Sequence, residues 1–173
     1  MVPALALGLV LARAGAVAKQ PIHILAILAD DFGWADAGWH ARHNPAAGKP
    51  GSPTEVARTP NLDALVDSGI EMDRQYAFKF CSPTRSAIQS GRNPIHVNVQ
   101  NMDPLNVNKK DPIAGFSAVA RNFTGLGAVM KRGGYSTHFA GKWDCGMATP
   151  DHTPMGRGYD ESLIYFHHMN DCE

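Results

Sequence analysis

PIHILAILADD, residues 21–31, carries an apolar run over residues 22–29 that stops at two adjacent carboxylates, Asp30 and Asp31. A run of this length without polar alternation suits a strand buried on both faces of a parallel sheet. The carboxylates then fall at the strand's C-terminal end. A second strand is expected in YSTHFAGKW, residues 135–143, ending at Lys142 and Trp143. Three capped helical patterns lie between them. TPNLDALVDSGI, residues 59–70, has Thr59 at the cap position, Pro60 in the first turn, Leu62, Leu65 and Val66 on one face, and Gly69 as the stop. SPTRSAIQSG, residues 82–91, repeats the device with Ser82, Pro83 and Gly91, which sets Cys81 just outside a helix N-terminus. TGLGAVMKRGGY, residues 124–135, is the third. Strands and helices joined by connections of crossover length make the expected fold class α/β, a mostly parallel sheet flanked by helices. In such sheets ligands lie beyond the C-terminal strand ends, where Asp30, Asp31, Lys142 and Asp144 fall. Residues 33–59 and 93–122 lack periodicity and are expected as long loops.

A chain of 173 residues with 44% hydrophobic and 18% charged residues suits one globular domain with a sizeable core. Sixteen basic residues balance sixteen acidic ones, so no global field recruits nucleic acid or an anionic membrane. Any anion site must be local. Three cysteines, Cys81, Cys145 and Cys172, are too few for a disulfide framework and match no paired CxxC zinc pattern. Eight histidines show no HExxH spacing, so zinc is not expected. The opening MVPALALGLVLARAGAVAKQ has an apolar run over residues 2–12 and the small-x-small pattern Ala16-Val17-Ala18, as in a secretory signal peptide cleaved near Ala18. It is too short for a stable membrane span. Residues 1–18 are therefore expected as a leader and residues 19–173 as one domain. On export, Asn122-Phe123-Thr124 becomes an N-glycosylation acceptor.

Two features carry chemistry. Adjacent carboxylates ending a buried strand serve either as turn and cap or as ligands to a hard cation, calcium or magnesium, which needs only oxygen donors. Cys81, in CSPTRSAIQSGR (residues 81–92), reads as a buried apolar cysteine, a reactive thiolate at a helix N-terminus, or a disulfide partner. The residues around it are more telling, because C-x-P-x-R arises by chance in about one chain in a hundred or fewer at this length.

Cys81-Ser82-Pro83-Thr84-Arg85, continued by Ser86-Ala87 and closed by Gly91-Arg92, resembles the sulfatase signature, and LADDFGWAD, TPNLDALVDSGI and GYSTHFAGKW follow the family in order. The resemblance covers the chain from about His23 onward. It implies an alkaline-phosphatase-like α/β fold, of which this chain would be the N-terminal part. It also implies that Cys81 is oxidised during secretion to 3-oxoalanine (Cα-formylglycine) by a formylglycine-generating enzyme that reads C-x-P-x-R. One hydroxyl of the aldehyde hydrate would attack sulfur and the second would expel the sulfate. A calcium ion on Asp30, Asp31 and the modified Cys81 would polarise the sulfate oxygens. Arg85 would pair with the diol and the carboxylates, and Lys142, in Gly141-Lys142-Trp143, would clamp the sulfate. The implied substrate is a sulfate ester, with a sulfated polysaccharide by analogy with algal and protist relatives, and the implied location is the secretory pathway, outside the cell or in a lysosomal or vacuolar lumen.

Two departures stand out. The family's usual Gly-Lys-Trp-His places a histidine where this chain has Asp144, which can accept a hydrogen bond from the formylglycine and act as a base but cannot carry imidazolium's charge. The family's remaining metal ligands and sulfate contacts come from a segment further downstream than Glu173, and the closing His167-His168 reads as a partly exposed loop pair. A phosphomonoester or phosphonate hydrolase of the same superfamily and a truncated, inactive sulfatase-like domain are the alternatives.

Overall fold

The computed structural model of the chain describes residues 22–47, 49–52, 58–101 and 118–167. The expected leader, much of the second expected loop, His168 and Cys172 lie outside the described residues.

The sheet of the described residues has two strands, β1 (His138–Lys142) and β2 (Glu161–Tyr165), paired in parallel from His138 opposite Glu161 to Lys142 opposite Tyr165. Parallel neighbours need a crossover, and residues 143–160 supply it. The ladder runs past Lys142 through the backbone N–H groups of Trp143, to Tyr165 O at 3.0 Å, and Asp144, to Phe166 O at 3.1 Å. β2 has no counterpart in the sequence reading. Its signal is one short alternation, with Ser162 and Ile164 half-buried and Glu161 and Leu163 exposed.

Residues 22–29 do not form the doubly buried strand that their apolarity suggests. They run as irregular chain with Ile22 78% and Leu25 85% exposed. A central parallel strand is buried only where neighbours take its backbone groups and layers cover its faces. Among the described residues only β1 and β2 pair, so no neighbouring strand takes the backbone groups of this segment.

The described residues form four α-helices: α1 (Gly38–Ala41), α2 (Pro60–Ser68), α3 (Cys81–Ser90) and α4 (Leu126–Arg132). The first expected loop thus holds α1 and a 3-10 turn, Trp34–Asp36, and the second holds the 3-10 turn Pro94–His96. Thr59 occupies the N-cap of α2, but its hydroxyl turns elsewhere, accepting the Gly38 N–H at 2.8 Å and donating to Asp63 at 2.7 Å. That exchange ties α1 to α2. α3 begins two residues earlier than its Ser-Pro pattern indicates, with Phe80 rather than Ser82 as N-cap, so Cys81 is its first helical residue. The Thr84 hydroxyl holds this turn by donating to Phe80 O at 2.8 Å and Phe78 O at 3.1 Å. Gly91 ends α3 in the left-handed region, φ 65 and ψ 24, as a glycine C-cap does. α4 has Gly125 as its N-cap.

The core lies between β1, α3 and the crossover. Trp143, Val119, Cys145 and Tyr159 are buried together, with Phe139, Phe123, Val97 and Ile164 packed around them. Phe139, Trp143 and Tyr159 meet edge to face with centroids 5.2 to 6.3 Å apart. The buried indole N–H of Trp143 donates to Gly146 O at 2.9 Å and His152 O at 2.8 Å. Tyr159 donates its hydroxyl to Gln89 at 2.9 Å and so fastens the core to α3.

Candidate active site

Three chain segments converge on Asp30. The residue ends the apolar run, and Asp31 after it adopts a left-handed backbone, φ 53, which aspartate tolerates better than most residues. The turn brings ligand atoms of Asp30, Asp31 and Cys81 within 4.8 Å of one another. Cys81 arrives from the start of α3, and its Sγ lies 3.6 Å from Asp30 Oδ1. Arg85, one turn along the same helix face, points a guanidinium nitrogen at Asp30 Oδ1 at 3.6 Å. Lys142 arrives from the C-terminal end of β1 and donates from Nζ to Asp30 Oδ2 at 2.7 Å. Gly141 before it has φ 104, a conformation closed to ordinary side chains. Arg85 also donates to the Lys142 carbonyl at 2.7 Å, which fixes α3 against β1.

The charges are unevenly buried. The side chains of Lys142 and Arg85 are 4% and 10% exposed, whereas that of Asp30 is 38% exposed. Buried cations are costly without a counter-charge, so Asp30 is the group that makes this arrangement stable. Burial opposes ionisation of Asp30, but the Lys142 hydrogen bond and the charges of Lys142 and Arg85 outweigh it and hold the carboxyl below its ordinary value. Burial likewise opposes the Lys142 ammonium, and the hydrogen bonds to Asp30 and Cys81 overcome it, leaving the ammonium above its ordinary value. Both groups stay charged at neutral pH.

Cys145 is a different kind of cysteine. Burial first, and the Asp144 charge second, push its thiol well up, so it remains an inert core residue. Among the described residues Cys81 and Cys145 are both unbridged. Asp144 follows β1 with φ 54 and is 0% exposed. The structure therefore brings Asp30, Asp31, Cys81, Arg85 and Lys142 together, with Asp144 buried at the end of the same strand. Of the closing histidine pair, His167 is half-buried past β2.

One participant was not legible beforehand. Asn101 accepts the Ser82 N–H through Oδ1 at 3.2 Å and so satisfies the first turn of α3, whose N-cap, Phe80, has no side chain able to do so. An asparagine in an asparagine-rich stretch gives no sign that it caps a helix far behind it in sequence.

The sulfatase family model matches residues 22–172. The chain belongs to the sulfatase family. Mouse arylsulfatase J is 31% identical to this sulfatase chain over 150 residues, 86% of the chain and 21% of the relative. Human N-acetylgalactosamine-6-sulfatase is 32% identical over 145 residues, 83% of the chain and 25% of the relative. Among solved structures, Ps i-CgsB superposes with TM-score 0.62 at 29% identity, over 82% of this chain and 27% of that one. Its complex with k-i-k-neocarrahexaose gives TM-score 0.61 at 27% identity, over 80% and 27%. The neighbours and the parallel sheet with flanking helices bear out the α/β fold class. This sulfatase segment spans 21% to 28% of the length of the curated relatives it matches.

Proposed function

We propose that this chain carries the nucleophile-bearing part of a sulfuric ester hydrolase acting on a sulfate monoester. The observation that supports it most is the position of Cys81. Within C-x-P-x-R it stands at the first turn of α3, 3.6 Å from Asp30 and in one cluster with Asp31. Oxidised to Cα-formylglycine, residue 81 would supply a geminal diol, with one hydroxyl to attack sulfur and another to expel the sulfate. The exposed oxygens of Asp30 and Asp31 suit a hard dication, and calcium held there with residue 81 would add positive charge beside the sulfate.

The chain's own residues provide the rest. Lys142, nearly enclosed and charged, stands at the mouth of the strand as an electrostatic clamp for the sulfate oxygens. Arg85 joins α3 to β1, keeps Asp30 ionised and holds residue 81 one turn away. The first turn of α3 directs backbone N–H groups toward developing negative charge. Asp144, in place of the usual histidine, is proposed to accept a hydrogen bond from residue 81 and serve as its base.

The substrate reading is a sulfate ester on a sugar. It is supported by the relatives named for N-acetylgalactosamine-6-sulfate and by the oligosaccharide complex of Ps i-CgsB. The curated relatives reported above are sulfatases by name and lend no support to a phosphoesterase. Export is supported by the leader pattern in residues 1–18 and by the exposed Asn122 and Thr124 of the glycosylation triplet. Among the described residues no helix is long and apolar enough to cross a membrane.

The test is the mass of the peptide spanning Cys81 from protein made in a secretory host with the formylglycine-generating enzyme, together with sulfate release from an aryl sulfate. An aldehyde at residue 81 is expected. An unmodified thiol there would sink the proposal. Sulfate release by the modified chain would count against the inactive-domain alternative.

A further inference from the structure

We propose that Asn101 is a positioning residue for residue 81, acting through the Ser82 N–H; its part in catalysis rests on the sulfate-ester reading of the same site. The body of α3 is held from several sides. Arg85 donates to Lys142 O at 2.7 Å, Tyr159 to Gln89 at 2.9 Å, and Thr84 to Phe78 O and Phe80 O. These bonds act on residues 84–89 and leave the backbone of the first two helical residues to other means. The opening N–H groups of a helix have no partner within it, and Phe80 at the N-cap makes no side-chain bond to them. Asn101 Oδ1 supplies one, accepting the Ser82 N–H at 3.2 Å.

The peptide unit that joins Cys81 to Ser82 is planar and runs from one Cα to the next. A bond to the Ser82 N–H therefore steadies the plane in which Cys81 Cα lies. From that Cα the side chain of residue 81 reaches toward Asp30, with Sγ 3.6 Å from Oδ1, and into one cluster with Asp31. Asn101 thus removes freedom from the nucleophile without touching it. Reacting groups misplaced by about 1 Å lose about a hundredfold in rate, so the orientation of this one peptide matters to the chemistry.

The segment that carries Asn101 is itself fixed. Asn93 and Asn98 spend their side-chain oxygens on the N–H two residues on, Ile95 at 3.1 Å and Gln100 at 3.0 Å, as asparagine does in turns. Val97 packs on the core between them, and Asn98 is buried. Asn101 directs its oxygen instead to a helix 19 residues back in the chain. It lies outside C-x-P-x-R, so changing it leaves that signal for modification intact.

The experiment uses the whole chain made in a secretory host with the formylglycine-generating enzyme and follows two signals, hydrogen exchange of the Ser82 amide and the Cβ carbon resonance of residue 81. Asn101→Ala should speed Ser82 exchange by about two- to thirtyfold, the loss of one capping bond, and should broaden or double the residue 81 resonance. Amides in the last turn of α3 should exchange at the native rate. Asn101→Asp keeps the acceptor, and its charge suits a helix N-terminus, so it should restore both signals. The mass of the peptide spanning residue 81 should be the same in all three proteins. Unchanged Ser82 exchange in Asn101→Ala, a residue 81 resonance that stays single and unshifted, faster exchange along the whole of α3, or an Asn101→Asp chain no nearer to native than Asn101→Ala would overturn the proposal. Failure of the hydrolase reading would appear separately, as an unmodified thiol in the peptide mass of the native chain.

Discussion

Asp30→Asn probes the charge balance of the site directly. Asparagine keeps the shape of the side chain and one acceptor but removes the charge that faces Lys142 at 2.7 Å and Arg85 at 3.6 Å. Removing one partner of a fully buried ion pair costs about 3–5 kcal/mol. Asp30 is 38% exposed, and Arg85 keeps its bond to the Lys142 carbonyl, so solvent screening reduces the expected loss to about 1–3 kcal/mol. Lys142→Met removes the buried ammonium instead and leaves Asp30 with Arg85 and water, for about 0–1 kcal/mol. Urea unfolding at constant m-value measures both, and the double variant should show a coupling of about 1–2 kcal/mol. The pH dependence has a definite sign. Asp30 titrates below its ordinary 3.8, so its contribution is complete above that value and is lost as pH falls through the lower folded value. Lys142 titrates above its ordinary 10.5, so its contribution is complete below that value and is lost as pH rises through the folded one. The stability gap between native protein and Asp30→Asn should therefore be flat near neutrality and close at both ends. Equal costs for the two single variants, or a coupling below about 0.3 kcal/mol, would refute the assignment of Asp30 as the counter-charge of two buried cations.

Three further outcomes follow from the same geometry. Trp143→Phe strands the carbonyls of Gly146 and His152 that accept its N–H and leaves a gap beside Tyr159, so urea unfolding should show a loss of about 2–4 kcal/mol. Gly91→Ala forces a Cβ into the left-handed cap at φ 65, with open space around it, and should cost about 1–2 kcal/mol with no change in the Cys81 peptide mass. Asp160, held by the Lys131 hydrogen bond and by the Thr137 N–H, should titrate at about 2 by carboxyl carbon NMR, and Lys131→Ala should move that midpoint upward.

Local patterns were legible where the chain interacts with itself over a few residues. α2 and α3 were readable from Pro near the start and Gly at the end, because those residues act through fixed φ and a missing Cβ whatever surrounds them. β1 was readable up to Lys142 for a similar reason. The caps were less legible. Thr59 has the right side chain, but a Gly38 N–H from another element competes for it, and the cap of α3 at Ser82 comes from Asn101. The apolar run over residues 22–29 marks a segment made to be buried, but burial is a property of neighbours, and among the described residues no strand pairs with it.

The site divides the same way. The sequence by itself determined which residue types are present for the chemistry: a cysteine in C-x-P-x-R, a pair of carboxylates closing an apolar run, and a lysine closing a strand. Spacing along one helix was enough to put Arg85 over Cys81. Only the tertiary structure decided that Asp30 is the hub on which Cys81, Arg85 and Lys142 converge, that Cys145 is a core thiol, and that Trp34 stacks on His40. Those relations join positions up to 112 residues apart, and their energies depend on burial and direction, which arise only when the segments pack.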